Sequence, residues 1–436
     1  MQDHSGIKNN NETTPAAGNI FISRLLHYAK NGILVYWSSF FILILIEFFL
    51  GGQLSKILTS NNYSVYIIVL NTLPFYSVLV NIGFAYSIIY FISYNSATRY
   101  SLLRKTFQLN TAWYLLLVAV HFVIFFLFRG IYLEALLITI LIAYTYSYKL
   151  NLTSFFLASG GYTKAAISNT LQKITLVVVF TLVFYSAGLQ QILNVKFPAA
   201  YPAIELSAVL LYFVFFWKTN ITALSAQNIN YGKRLIQYGK YAMFNNCLNL
   251  LYYTIIALII RSAHIALHIQ IILGLCILFF RYTAVAIAPL FSTMSPQLTR
   301  IKNDTAAVQK MYKKYFVIIS AMSLFILLGC RFFFSFIIIH FYAAAYRDLP
   351  EFFNFFCYLI PLLFLNSYNS SAMAALGKIK FATWAELICT LLLVLFFVYN
   401  LLSPITGYHV FYYMVLIHLA VKFLILGFGV LKTIKK

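Results

Sequence analysis

Four basic residues stand inside apolar runs long enough to cross a bilayer: Lys173, Arg281, Arg331 and Lys422. A charge in hydrocarbon costs roughly 2.5–3.5 kcal/mol on insertion scales, so such a residue faces protein, water or an anionic ligand. Arginine offers a fork of N–H donors that matches phosphate or pyrophosphate, and lysine offers a point charge. By position in their runs, Arg281 and Lys422 fall near mid-membrane, Lys173 in the inner third and Arg331 nearer the outer side. Together they would make a cationic cavity for a phosphate-bearing group. Each could instead snorkel to the interface or pair with a nearby acid. The acids in or at the edge of spans are Glu47, Glu205 and Glu386, with Glu134 following the turn FRGIYLE at an interface. The first three could neutralise the basic residues or carry a coupling ion, H+ or Na+.

Other chemistry finds little machinery. The five cysteines all lie in apolar runs without C-x-x-C spacing and read as small core residues. His264 and His268 are four apart, but in a short outer loop, and no other histidines share metal-ligand spacing within one span. No Walker A sequence, G-x-S-x-G or D-x-D cluster is present. No catalytic residue, metal or cofactor is therefore assigned. The net charge of +22 would point to nucleic acid in a soluble protein, but its distribution gives it a different meaning.

The elements that must position these residues are membrane helices. The 436 residues are 62% hydrophobic and only 9% charged, with a mean hydropathy of +0.85. No soluble core needs that much apolar surface. Continuous runs of about 20 residues exclude an outer-membrane barrel, whose strands alternate. Spans are expected near 31–50, 65–92, 111–129, 133–150, 166–186 and 201–218, then near 241–260, 267–292, 315–340, 353–376, 381–400 and 409–431. The fold class is all-α, a polytopic helical membrane protein of about twelve spans in two six-helix lobes. Pro74, Pro289 and Pro361 are the expected kink points. The segment STMSPQLTRIKNDTAAVQKMYKKY after the eighth span reads as a basic loop with a short helix along the membrane surface.

Basic residues orient the chain. One set of loops, from Lys8, Arg24 and Lys30 through Lys149 and Lys164 to Lys432, Lys435 and Lys436, holds 22 of the 31 Lys and Arg residues; the opposite set holds only Lys56, Arg129, Lys196, Arg261 and Arg347. Both termini are expected on the cytoplasmic side, and most of the +22 serves topology on an anionic leaflet. Nucleic acid is not needed to explain it. Residues 1–30 form a polar cytoplasmic segment, 31–218 the first lobe, 219–240 a cytoplasmic connector, 241–431 the second lobe and 432–436 a tail. The first apolar run lacks a small-residue cleavage site after it, so no cleaved leader is expected. SFFLASGGYTKAAISN (154–169) resembles SSAMAALGKIKFATWA (370–385) at an offset of half the chain, pairing Gly161 with Gly377. The lobes would then be parallel repeats about an axis along the membrane normal.

Three patches carry a family resemblance: YGKYAMFNNCLNLLYYTIIALII (238–260), AVAIAPLFSTMSPQLTRIKND (284–304) and MAALGKIKFATWAELICTLLLVLFFVYNLLSPITGYHVFYYM (373–414), with its late turn at Pro404 and Gly407. With twelve spans and no soluble domain, the chain resembles the polysaccharide exporters of the MOP superfamily, especially the O-antigen flippases (Wzx), over residues 25–431. That resemblance implies a multi-pass protein of the bacterial cytoplasmic membrane that carries an undecaprenyl-pyrophosphate-linked oligosaccharide between leaflets by alternating access. Its implied partners are that lipid, the surrounding membrane lipids, and the polymerase and chain-length regulator of the same pathway. The seventh-helix Asp usual in the family has no counterpart here. An O-antigen polymerase or other lipid-linked glycosyltransferase would need a substantial outer loop, and the outer loops are short. A drug or cation antiporter of the same superfamily would want buried acids in place of Arg281 and Lys422.

Overall fold

The computed structural model describes residues 33–94, 96–127, 131–226, 232–301, 303–403, 407 and 409–434. The N-terminal segment 1–30 with Lys8, Arg24 and Lys30 lies outside the described residues, as do Arg129, Lys302, Pro404, Lys435 and Lys436. Among the described residues all regular structure is helical, as hydrocarbon demands of a backbone that must satisfy its own hydrogen bonds. The first half contains α1 (Ile33–Ile57), α2 (Ser60–Asn81), α3 (Phe84–Tyr94), α4 (Arg99–Leu127), α5 (Ile131–Ala158), α6 (Tyr162–Phe184), α7 (Ala187–Phe215) and α8 (Trp217–Ser225). The second contains α9 (Gly232–Ser262), α10 (Leu267–Arg300), α11 (Thr305–Phe341), α12 (Leu349–Cys357), α13 (Ile360–Ala375), α14 (Ile379–Leu402) and α15 (His409–Ile434). Eleven helices are long and apolar enough to cross a membrane, and the α12–α13 pair, bent by 50°, makes a twelfth if it is one span.

Within the first half α1 packs along α6 and α2 along α5; within the second, α9 packs along α14, and α13 against α10, α11 and α15. The halves meet where α9 and α10 lie on α2 and where α1 touches α10 and α11. Much of the 219–240 connector is itself helical, in α8 and in the first turns of α9.

The breaks fall differently from the prolines. α2 runs through Pro74 and α10 runs past Pro289 to Arg300. The second span breaks instead at Ile82–Gly83, both left-handed, with φ of 50° and 71°. Asn81 Oδ1 there accepts from the N–H of Ala85 (2.9 Å) and caps α3. Pro361 does mark a break, because it sits in the first turn of α13 and has no N–H for the carbonyl of Cys357. α7 is longer than the 201–218 span and kinks at Lys196 (φ −113°, ψ 22°), two residues before Pro198.

The surface helix expected after the eighth span is absent. α10 runs for 34 residues to Arg300 and α11 for 37 from Thr305, so only four residues separate them. At 1.5 Å per residue each helix is about 50–55 Å long, well beyond the roughly 30 Å hydrocarbon layer. The Ala, Gln, Lys and Met of this segment are strong helix formers, and Asp304 caps α11 by accepting from the N–H of Ala307 (3.0 Å). Propensity and a cap therefore extend the spanning helices where charge alone reads as a loop.

The repeated turns close alike. The N–H of Gly161 donates to the carbonyl of Phe156 (2.7 Å) and that of Lys378 to Met373 (2.8 Å), with Gly160 and Gly377 left-handed at φ 75° and 76°. Each is a Schellman closure. Gly160, not Gly161, occupies the place of Gly377, so the two turns match one residue away from the register of the sequence comparison.

At the boundary between the halves, a Cβ on Gly239 would lie 2.7 Å from the carbonyl oxygen of Ile82, and one on Gly83 would strike the backbone of Gly239. Gly160 has the same left-handed backbone but nothing within 4 Å of its Cβ position. Gly160→Ala should cost about 1 kcal/mol for its backbone alone, and Gly83→Ala more than about 2 kcal/mol, because it adds the collision. Thermal unfolding of the two detergent-solubilised variants checks this. Equal shifts would mean that α3 and α9 separate freely.

Candidate functional site

Of the four basic residues expected inside spans, three are buried: Lys173, at 2% exposure, Lys422 at 6% and Arg281 at 9%. Lys173 on α6 forms an ion pair with Glu47 on α1 (2.7 Å). Beside it, Gln172 and Tyr201 both donate to the buried carboxylate of Glu205 on α7, the tyrosine at 3.0 Å. The ring of Tyr146 on α5 lies 5.3 Å from Lys173 Nζ and 4.6 Å from Lys149 Nζ. Glu47 Oε2, Gln172 Oε1 and Tyr146 Oη are buried without a hydrogen-bond partner. This cluster joins four helices of the first half in one polar centre.

Lys149 belongs to that centre although its charge reads as part of a loop. α5 continues to Ala158, where the Gly160–Gly161 pair stops it, and this places Lys149 two turns inside the helix at 9% exposure. The Gly-Gly stop is the sequence signal that locates the true helix end.

The second polar centre lies in the other half. Glu386 on α14 pairs with Lys422 on α15 (2.5 Å), and Lys422 also donates to Asn249 Oδ1 on α9 (3.1 Å). One turn earlier on α15, His418 stacks on Tyr252 with centroids 4.2 Å apart.

Arg281 on α10 is different. Its guanidinium donates to the backbone carbonyl of Leu70 on α2 (2.8 Å) and more weakly to that of Asn71 (3.5 Å). Leu70 is four residues before Pro74, which has no N–H to give, so this carbonyl is left over by the helix itself. The arginine fills the gap from the opposite half. The same device recurs at Asn194, four residues before Pro198, whose carbonyl accepts from Asn62 Nδ2 (2.8 Å). Among the described residues Arg281 has no carboxylate within ion-pair distance, and it rests near the rings of Tyr282 (5.5 Å) and Tyr253 (6.0 Å). A fork-shaped cation with spare N–H donors and no counter-charge is an anion site in its chemistry.

Arg281 and the Glu47–Lys173 pair are linked across the boundary. Phe48, next to Glu47, stacks on Phe279 at 4.6 Å and meets Tyr282 at 6.3 Å. These rings also line an apolar cavity of about 430 Å³ between α1 and the α10–α12 segment. Its mouth is formed by the exposed side chains of Phe41, Leu45, Phe325 and Phe333, and its floor by Phe279 and Tyr282. Tyr282 is thus shared by the apolar cavity and by Arg281.

Arg331 is not brought to this place. It is exposed on α11 and donates to the hydroxyl of Tyr358 at the α12–α13 break. No group of His, Cys, Asp and Glu residues suited to a metal ion occurs among the described residues.

No protein-family model and no curated relative matches this sequence. Solved structures do match over nearly the whole chain. An inward-facing multidrug resistance MATE family transporter of the MOP superfamily aligns with a TM-score of 0.67 at 12% identity, covering 92% of this chain and 97% of that one. A MATE structure in complex with MaL6 aligns at 0.63 and 10%, covering 92% and 94%. A MOP superfamily transporter from Pyrococcus furiosus Vc1 (DSM3638), described by the reverse polarity of its binding pocket and a different suggested function, aligns at 0.60 and 12%, covering 92% and 95%. The chain therefore has the fold of the MOP-superfamily MATE transporters, a multi-pass helical membrane architecture.

Proposed function

We propose that this protein is a transporter that flips an anionic, lipid-linked oligosaccharide, of the undecaprenyl-pyrophosphate class, across the cytoplasmic membrane by alternating access. The carrying observation is Arg281, buried between the halves with its charge uncompensated by any acid among the described residues. A pyrophosphate would take its free N–H donors, and the polar centre of Lys149 and Lys173 is linked to Arg281 through Phe48 and Tyr282. The apolar cavity beside Tyr282 has the chemistry for the first isoprene units, with the rest of the chain left in lipid. A head group held by cations next to an aromatic slot open to the lipid-facing surface suits an amphiphile better than a soluble ion. Rocking of one half on the other would carry the head group through a polar path and avoid the cost of placing its charge in hydrocarbon.

Coupling falls to the buried acids. Glu47 and Glu205 are the groups that would exchange H+ or Na+, since Glu47 Oε2 has no hydrogen-bond partner of its own. The polymerase and chain-length regulator of such a pathway would be its working partners.

A second reading, a drug or cation antiporter, draws support from the multidrug transporters that share the fold and from Glu205, a buried carboxylate held by neutral donors only. The sidedness of lipid-linked oligosaccharide in cells lacking this protein separates the two. Complete units trapped on the cytoplasmic face are the expected result. No accumulation, with increased sensitivity to cationic drugs, would favour the antiporter, and single units on the periplasmic face would favour a polymerase.

A further inference from the structure

A second pocket, in the first half alone and sharing no residue with the Arg281 site, opens at the end of the bundle that carries the basic loops. It has a volume of about 400 Å³ and is lined by Arg99 and Tyr100, by the α5–α6 turn through Lys164, and by Thr219. Two helices begin at it, α6 at Tyr162 and α8 at Trp217, while α4 enters it at Arg99 as the continuation of a 3-10 turn at Ser96–Thr98. A helix start carries positive partial charge and normally takes an acidic residue or a capping side chain. Neither these two helices nor α4 has an acid in its first turn. They carry Arg99, Lys164 and Lys218 in those turns instead, and Gly161 and Phe216 offer α6 and α8 no side-chain cap.

The two helices that end here, α5 and α7, do not balance this field: at the end of α7 the carbonyls of Tyr212 and Phe213 accept from the side chain of Asn220, at 3.3 Å each. The last carbonyls of α5, those of Phe155, Phe156 and Leu157, are already taken by the N–H groups of Ser159, Gly161 and Gly160, at 3.1, 2.7 and 3.1 Å. Among the described residues neither Arg99 nor Lys164 has a carboxylate partner. Their cationic heads lie over the rings of Tyr100 (5.0 Å) and Phe156 (5.9 Å) instead. Hydroxyls of Ser159, Thr163 and Thr219 add donors around the same space.

We infer that this pocket binds a phosphate group. A tetrahedral oxyanion is the ligand that uses a guanidinium, an ammonium, free first-turn N–H groups and hydroxyls together. An anionic phospholipid head group and free inorganic phosphate both present that chemistry, and the position at the membrane surface admits either.

The test uses the full-length protein in a zwitterionic detergent, with short-chain phosphatidylglycerol, phosphatidylcholine and inorganic phosphate as probes, read by native mass spectrometry and thermal shift. Phosphatidylglycerol should bind and raise Tm where phosphatidylcholine does not. Lys164→Gln, at an exposed position that leaves the fold intact, should weaken that binding about fivefold, and Arg99→Gln with Lys164→Gln at least about tenfold. Lys378→Gln with Lys380→Gln, which removes the same charge from the matching turn of the second half, should leave it unchanged. Competition by millimolar inorganic phosphate would identify a soluble phosphate as the natural occupant, and its absence a lipid head group. Binding of neither phosphate source, or equal losses in both double variants, would overturn the inference.

Discussion

Arg281→Ala should slow the proposed transport at least about tenfold while only partly destabilising the protein, and Pro74→Ala in the same chain should separate the two effects. Charge-assisted hydrogen bonds are worth about 1.5–3 kcal/mol each, so losing the anion contact should lower the transport rate at saturating cargo roughly 10- to 150-fold. The same substitution orphans the Leu70 carbonyl in mid-membrane, at a cost of about 1–3 kcal/mol. Pro74→Ala returns an N–H four residues along α2, and that N–H can take the carbonyl over. The double variant should regain thermal stability and remain as slow as Arg281→Ala. If flipping in proteoliposomes returned along with stability, Arg281 would be only a patch for a proline gap, and the proposed anion site would be lost.

Lys422→Met should be among the most destabilising single changes in the second half. It leaves Glu386 buried without its cation, and breaking a buried pair from one side typically costs about 3–5 kcal/mol. Removing both charges, as Glu386→Leu with Lys422→Met, should restore most of that stability, because two apolar residues of similar volume need no desolvation. Thermal unfolding in detergent reads the asymmetry. A single variant as stable as the wild type would mean that Glu386 is neutral or solvated in the folded protein. Transport by the stable double variant then tells whether Lys422 meets the cargo or only its acid. A pair held also by Asn249 should let transport return with folding.

Composition and the placement of charge were enough to specify an all-helical membrane protein of about twelve spans, because hydrocarbon tolerates few backbone arrangements and few charges. The apolar runs marked their own positions, and Lys173, Arg281 and Lys422 stood out as charges in the wrong solvent. Helix ends were less legible. Lys149 looked like a loop residue because charge suggests water, while the stop signal lay eleven residues further on at Gly160. The basic segment after α10 looked like a surface loop because its helix formers and the Asp304 cap act locally and leave the hydrophobic pattern unchanged.

Pairing was decided by the tertiary structure alone. Lys173 with Glu47 and Lys422 with Glu386 are contacts between helices far apart in sequence, and nothing local selects them from the other combinations of the same charges. Arg331 has the same residue type and a similar apolar setting as Arg281, yet it faces outward to Tyr358. The environment of Arg281 depends on a carbonyl that Pro74 frees on another helix 211 residues away. A proline's effect on its own helix can be read from sequence. The side chain that answers it can come from any neighbour, and only the packing of the two halves determines which.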